Sequence, residues 1–219
     1  MTRANAHGRY QGGEDEKLLG QAIKGIPRDH LVIATKTDKR DGKSARAELD
    51  QSLESLGIEY VDIIHIHYLN TAVEREQALG PGGAYEALEQ ARAEGKVRFI
   101  GVTGHDWEQV AKAVATGKFD TVLCWYNCAL RQAETTVFKE AQKHHVGVVI
   151  MNASARGGAG GTGPAGTVVK ELSTVDGAPP QEQFYRYVLS HSAGTYADKL
   201  HCASSCIIHV AVPAVELMN

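Results

Sequence analysis

Three residues in the first third of the chain could take part in carbonyl chemistry. Tyr10 lies in a glycine-rich segment before a predicted helix, whereas Lys36 and His67 each end an apolar run of strand length. A neighbouring ammonium makes a phenol a better acid, and an imidazole N–H can orient a carbonyl oxygen. Taken singly, each residue also has an ordinary interpretation: a surface hydrogen bonder, a cation at the sheet edge and a structural histidine. Together they predict proton delivery to a carbonyl oxygen, with hydride supplied by a cofactor.

Apolar runs that alternate with helical patterns would position these side chains. Strands are predicted at Leu31–Ala34, Val61–Ile66, Val97–Val102, Thr121–Trp125 and Val146–Met151. Helices are predicted between them, one closed by Gly57 and another opened by an Asp106–Gln109 capping box. Strands that are apolar throughout belong to a parallel sheet covered on both faces. This pattern fits a βα barrel or an open doubly wound sheet, and both place ligands at the carboxyl edge.

Several motifs resemble those of the aldo-keto reductases from about residue 8 to residue 152. They are Tyr10-x-Gly-x-Glu14, Ala34-Thr-Lys36, Tyr60-Val-Asp-Ile-x-x-x-His67, the step Glu94–Thr103 and Trp125-Tyr-Asn127. Gly-Val-Thr-Gly-His at residues 101–105 is similar to a bacterial branch of that family. The resemblance implies an α/β fold of the (β/α)8 TIM-barrel type and an NAD(P)H-dependent carbonyl reductase, with NADPH or, less often, NADH as its cofactor.

The resemblance also implies roles for individual residues. Tyr10 would be the general acid, Lys36 its partner and His67 the residue that orients the carbonyl. The implied cofactor-binding residues are Thr103, Gly104, His105, Met151, Asn152, Gly157 and Gly158. The stretch Gly157–Gly166 can be interpreted either as a flexible loop or as a phosphate contact.

The sequence departs from the family pattern at both ends. Asn5 stands where the family has the aspartate that pairs with the lysine. The first barrel strands are expected to be missing, so a single incomplete barrel domain is predicted over residues 1–219. Within it, residues 156–180 form a Gly/Pro-rich loop and residues 192–219 a divergent C-terminal segment. An incomplete barrel exposes sheet edges, through which the chain could associate with itself.

Composition limits the remaining classes. A net charge of -3 and the lack of a long apolar stretch argue against nucleic-acid and membrane partners and favour a cytoplasmic protein that acts on a small carbonyl compound. The C-x3-C pairs, Cys124/Cys128 and Cys202/Cys206, make a poor metal signature, so no metal is predicted. Two alternatives stay open. One is a catalytically inactive reductase-like protein or fragment that acts by nucleotide or partner binding, and the other is a metal-dependent barrel hydrolase that uses His65 and His67.

Overall fold

The computed structural model describes residues 2–5, 13–153, 181–191 and 207–210. These residues divide into two compact units, Met1–Gln109 and Val110–Asn219. The first unit contains four parallel strands in the order β1 (Thr2–Asn5), β2 (Leu31–Thr37), β3 (Val61–Ile66) and β4 (Val97–Thr103). Its helices are α1 (Glu14–Ala22), α2 (Gly42–Leu56), α3 (Ala72–Leu79) and α4 (Ala84–Ala93).

The division of the chain falls within α5 (Trp107–Val114). The second unit pairs β5 (Thr121–Trp125) in parallel with β6 (Gly147–Met151), and β6 pairs with β7 (Ile207–Val210) in the antiparallel sense. Its helices are α6 (Val137–Lys143) and α7 (Gln181–Leu189). Parallel strands that alternate with helices confirm the α/β fold of the barrel type. Whether residues 1–219 form one domain stays a prediction, and residues 156–180 lie outside the described residues.

Local sequence signals explain the helix ends in the first unit. The Asp41 carboxylate accepts a hydrogen bond from the Ser44 amide at 2.8 Å and caps α2. Gly57 ends α2 with a φ of +67°, a left-handed conformation that costs glycine little. Gly20 permits α1 to approach α2 closely, because a Cβ there would lie 2.7 Å from the Leu56 carbonyl oxygen.

Two elements of local structure were missed by the sequence pattern. Strand β1 was not predicted, since Thr2–Asn5 has no apolar pattern and becomes a strand only by pairing with β2. Helix α3 was not predicted either, and it begins where Thr71 and Glu74 make a capping box.

The predicted capping box of α5 is only half formed. The Asp106 carboxylate accepts from the Gln109 amide at 2.9 Å, as expected. The Gln109 side chain, however, accepts a hydrogen bond from Arg75. The Asp106 amide donates instead to Asn70 Oδ1 at 3.2 Å, so a residue from another loop completes the cap.

All six residues of the strand β3 are buried, including two polar ones, as expected for a parallel strand covered on both faces. Its two polar residues have separate positions. Asp62 lies near the amino end, where it binds Arg28 and Arg98, and His65 lies near the carboxyl end, where its Cα pairs with that of Lys36. The carboxyl end of this strand thus lies beside Lys36, and the amino end carries an ion cluster.

Candidate functional site

Strand β2 delivers Lys36 to the carboxyl edge of the first unit. The side chain is 2% exposed, and its register partner on β3 is His65. Burial removes water from the ammonium and lowers the pKa of Lys36 from 10.5 to about 8, while the negative charges of Asp15 and Glu16 on α1 act in the opposite direction. Lys36 is therefore a buried cation that can lower the pKa of a neighbouring acid.

Glu16 is itself buried against the opposite face of β2. Its carboxylate accepts a hydrogen bond from the Thr35 hydroxyl at 2.6 Å, and the side chain is 1% exposed. Since side chains alternate along a strand, Thr35 and Lys36 point to opposite faces. The carboxylate therefore favours the charged form of the lysine across the strand. Sequence reasoning missed Glu16. The available signal was an acidic residue two positions before the apolar pair Leu18–Leu19.

His67 lies one residue beyond β3, next to the end of β2. Its backbone amide donates to the Thr37 carbonyl at 2.7 Å, which fixes the chain between the two strands. Its Nδ1 atom lies 2.7 Å from Thr103 Oγ1, and the Tyr68 amide donates to the same oxygen at 3.2 Å. Lys36 and His67 are thus brought to one edge, as predicted from their positions at the strand ends.

The Thr103–His105 segment lies beside His67 at the end of β4. Thr103 is fully buried, and its carbonyl accepts a hydrogen bond from the Leu69 amide at 2.9 Å. The ring of His105 packs edge-on against Tyr68, with 4.8 Å between the ring centroids, and burial lowers the pKa of His105. Tyr68 has a φ of +66° and is 45% exposed, so an aromatic ring stands at the edge next to His67.

Asn70 holds this segment in place. Its side-chain oxygen accepts hydrogen bonds from the amides of His105 at 2.6 Å and Asp106 at 3.2 Å. The Asn70 amide donates to Glu74 at 3.0 Å, and Arg40 donates to the same carboxylate at 3.3 Å. Sequence reasoning missed Asn70. The capping-box pattern Thr71-x-x-Glu74 directly after it was the available signal.

The second unit carries its own set of polar groups at the ends of β5 and β6. Asn127 is fully buried, its oxygen accepts from the Ala129 and Leu130 amides at 2.9 Å each, and its Nδ2 donates to the Asn152 carbonyl at 3.0 Å. Met151 ends β6 in register with Trp125. Asn152 follows with a φ of +62°, and its own Nδ2 is buried without a hydrogen-bond partner in the part of the chain that the structure describes.

A second hydrogen-bond network in this unit is centred on Glu134 and stabilises the structure. Glu134 accepts hydrogen bonds from the Tyr126 hydroxyl at 2.7 Å and from two guanidinium nitrogens of Arg131 at 2.8 and 2.9 Å. These bonds, with that of Arg131 as the largest cause, hold the pKa of Glu134 well below its usual range. The Tyr126 ring also contacts Tyr187 and His191, so the network joins α7 and His191, two residues beyond it, to the strand end.

Several predicted site residues are not tested by this geometry. Tyr10, Gly157 and Gly158 lie outside the described residues, and Asn5 is placed by its backbone alone, in register with Ala34. Among residues 13–153, the long described segment, and the shorter described ones, no three His, Cys, Asp or Glu side chains come together as a metal site. The hydrolase alternative with His65 and His67 therefore has no third ligand there.

The sequence model of the aldo/keto reductase family matches residues 4–167, which is well over half of the chain. The chain belongs to the aldo-keto reductase family. This family consists of oxidoreductases that use NADPH or NADH, and the chain carries its fold.

Three relatives illustrate the likeness. L-galactose dehydrogenase from Arabidopsis thaliana is 33% identical over 127 residues, which cover 53% of this chain and 39% of the relative. An aldo-keto reductase from Klebsiella pneumoniae, solved in complex with NADPH, has a TM-score of 0.57 and 26% identity, covering 68% of this chain and 51% of the other. The holo form of an aldo-keto reductase from Bacillus halodurans has a TM-score of 0.69 and covers 86% of this chain and 68% of the other. At 22% identity, this last likeness concerns the fold alone.

The aldo-keto reductase chain spans about half the length, or less, of the curated relatives that it matches. No helix in the described part of the chain is long and apolar enough to cross a membrane. One observation in the described residues fits a nicotinamide cofactor. The buried amide donor Asn152 Nδ2 needs a hydrogen-bond acceptor. The ligand's carboxamide offers such an acceptor.

Proposed function

We propose that this aldo-keto reductase chain reduces an aldehyde or ketone with NADPH or NADH. The observation that carries the proposal is the pair formed by a buried Lys36 and a positioned His67 at one sheet edge. The nicotinamide cofactor supplies the hydride when it is bound. In this proposal the substrate is a small carbonyl compound and the protein works in the cytoplasm, which its composition favours over a nucleic-acid or membrane role.

The chain's own residues handle the proton. Negative charge develops on the carbonyl oxygen during reduction, and Tyr10 gives that oxygen a proton. The Lys36 ammonium lowers the cost of the Tyr10 phenolate, so the phenol becomes a stronger acid. An N–H of the His67 ring donates a hydrogen bond to the same oxygen and holds it in line. Thr103, Gly104, His105, Met151, Asn152, Gly157 and Gly158 are the residues proposed to bind the cofactor.

The second candidate is a catalytically inactive reductase-like protein, and the residue at position 5 favours it. Asn5 has no carboxylate to stabilise the charged form of Lys36, and it ends β1 beside β2. Asp15 and Glu16 supply negative charge to Lys36 from α1, which supports the enzymatic interpretation. A binding and turnover experiment separates the two candidates.

Tyr10→Phe is expected to leave cofactor binding unchanged and to lower carbonyl reduction by about a thousandfold, because a positioned general acid contributes roughly 10²–10⁴ to the rate. Quenching of Trp107 and Trp125 fluorescence during titration with NADPH and NADH measures binding. NADPH consumption with a panel of aldehydes and ketones measures turnover.

The matched control is Tyr85→Phe, which removes a hydroxyl that donates to Glu89 on α4, far in sequence from the proposed acid. This variant should reduce substrates like the wild type. If the wild type binds neither cofactor, or binds one and reduces none of the panel, the result favours the inactive alternative over the enzyme. If Tyr10→Phe retains full turnover, another group delivers the proton.

Asn70→Ala is expected to weaken NADPH binding by about tenfold to a hundredfold. It removes the acceptor that holds the His105 and Asp106 amides, and each lost bond is worth about 1 kcal/mol. The same fluorescence titration measures the dissociation constant. Asn70→Asp keeps an acceptor oxygen at this position and should bind NADPH within about threefold of the wild type. Equal binding by Asn70→Ala would show that the segment does not contact the cofactor.

A further inference from the structure

Thr103 makes a direct side-chain contact with His67, which a role in cofactor binding alone would not require. Its hydroxyl oxygen is fully buried and lies between two groups, the Tyr68 amide at 3.2 Å and His67 Nδ1 at 2.7 Å. The amide can only donate, so it uses one lone pair of the oxygen. The hydroxyl hydrogen still needs an acceptor, because the residue is fully buried.

We propose that Thr103 is a positioning residue that donates its hydroxyl hydrogen to Nδ1 of His67 and thereby keeps the ring proton on Nε2. Within the described ranges, Nδ1 is the one acceptor in hydrogen-bond contact with this hydroxyl. If Nδ1 carried the proton instead, Thr103 Oγ1 would accept from two donors and its own hydrogen would be buried without an acceptor, a costly arrangement. The hydrogen-bond partner of one imidazole nitrogen thus sets the tautomer of the ring.

The tautomer decides what His67 can do at the site. A neutral imidazole has one donor and one acceptor nitrogen, so with Nδ1 occupied as the acceptor the ring donates through Nε2. This inference rests on the proposed function, in which His67 donates to the carbonyl oxygen. It also explains the arrangement of the loop, because the left-handed backbone of Tyr68, with φ +66°, places the Tyr68 amide on Thr103 Oγ1. That contact leaves the hydroxyl hydrogen for the ring.

The test is to read the tautomer directly by nuclear magnetic resonance on protein labelled with ¹⁵N-histidine, without cofactor or substrate. The chain has 10 histidines, and the signal that disappears in His67→Gln identifies the ring of interest. At pH 8 we expect the His67 ring to carry its proton on Nε2, with Nδ1 as the acceptor. A proton on Nδ1, or on both nitrogens, would overturn the proposal whether or not the protein is an enzyme.

Two variants test the donor. Thr103→Val keeps the shape and removes the hydroxyl, so the Nδ1 resonance should move towards the position of an acceptor without a hydrogen bond. Thr103→Ser keeps the hydroxyl and should leave that resonance in place. An unchanged Nδ1 resonance in a folded Thr103→Val protein, judged by its other histidine signals, would contradict the proposal. If that variant does not fold, the wild-type and Thr103→Ser spectra decide.

Turnover provides a second readout in the same variants. Thr103→Val should lower kcat by about tenfold when NADPH is saturating, because a misoriented donor weakens the transition state; the dissociation constant for NADPH, which Thr103 is also proposed to contact, is measured separately. Thr103→Ser should restore most of kcat. If Thr103→Val leaves kcat at saturating NADPH unchanged, whatever its effect on NADPH binding, Thr103 does not act through His67.

Discussion

Lys36→Met is expected to lower the rate of carbonyl reduction strongly and to stabilise the fold at the same time. The ammonium is nearly fully buried and its pKa is lowered from 10.5 to about 8, so folding works against its charge. At about 1.4 kcal/mol per pKa unit, replacing it with an uncharged side chain of similar length should raise the free energy of unfolding by roughly 3 kcal/mol at pH 7. Turnover should fall on the order of a thousandfold, since Tyr10 loses the neighbouring charge.

The pH dependence of this gain has a definite sign. Below pH 8 the lysine is charged in both the folded and the unfolded chain, so the penalty is fully present. Between pH 8 and 10.5 the folded lysine loses its proton while the unfolded one keeps it, so wild-type stability rises with pH and the advantage of the variant disappears. Over the same range the wild-type rate should fall as the charge on Lys36 is lost.

Urea unfolding at pH 7 and at pH 10 measures the effect. The matched control is Lys17→Met, because the Lys17 ammonium is exposed and pairs with Glu14 on the same helix. That surface variant should change stability by less than about 0.5 kcal/mol and leave turnover intact. A Lys36→Met protein that is less stable than the wild type at pH 7 would mean that bonds of the ammonium outweigh its desolvation.

Asp62→Asn is expected to destabilise the protein by about 3 kcal/mol, because breaking a buried ion pair leaves its partners uncompensated. The Asp62 side chain is 2% exposed and binds Arg28 at 2.7 Å and Arg98 at 2.8 Å. It also accepts from the Ile33 amide at 2.8 Å. An asparagine would direct an NH₂ group at one of these donors, so the loss includes a donor facing a donor.

The measurement is the free energy of unfolding in urea, together with turnover in the absence of denaturant. Asp50→Asn is the matched control, since Asp50 bonds Arg46 at 3.1 Å and Lys96 at 2.7 Å but its side chain is 45% exposed. It should cost less than about 1 kcal/mol. Equal losses in the two variants would contradict the assignment of the Asp62 cluster as the ion pair that supports the amino ends of β2, β3 and β4.

Asp62 lies at the end of β3 that is opposite to the proposed site. Asp62 and His65 occupy opposite ends of β3, and in barrels of this type catalytic groups collect at the carboxyl ends of strands. We therefore expect Asp62→Asn to lower stability while leaving the turnover of the folded fraction within about twofold of the wild type. The two ends of one strand thus serve different purposes.

Much of the fold was predictable because it depends on local patterns. The strands Val61–Ile66 and Thr121–Trp125 were predicted with their observed bounds, since mostly apolar runs of that length are typical of parallel strands covered on both faces. Gly57 marked the end of α2 correctly. The placement of Lys36 and His67 at one edge followed from parallel strands. The family itself was evident from the order of its motifs, and the match over residues 4–167 confirms it.

The tertiary structure decided what depends on partners distant in sequence. Thr2–Asn5 is a strand only because β2 offers hydrogen bonds to it, and Asn70 reaches across to the amides of His105 and Asp106. The contact between Thr103 and His67 joins residues 36 positions apart, and no local pattern encodes which polar atoms meet there. Sequence periodicity determined which faces are buried, because burial repeats along each element. The hydrogen bonds that orient the site were set by how separate elements pack.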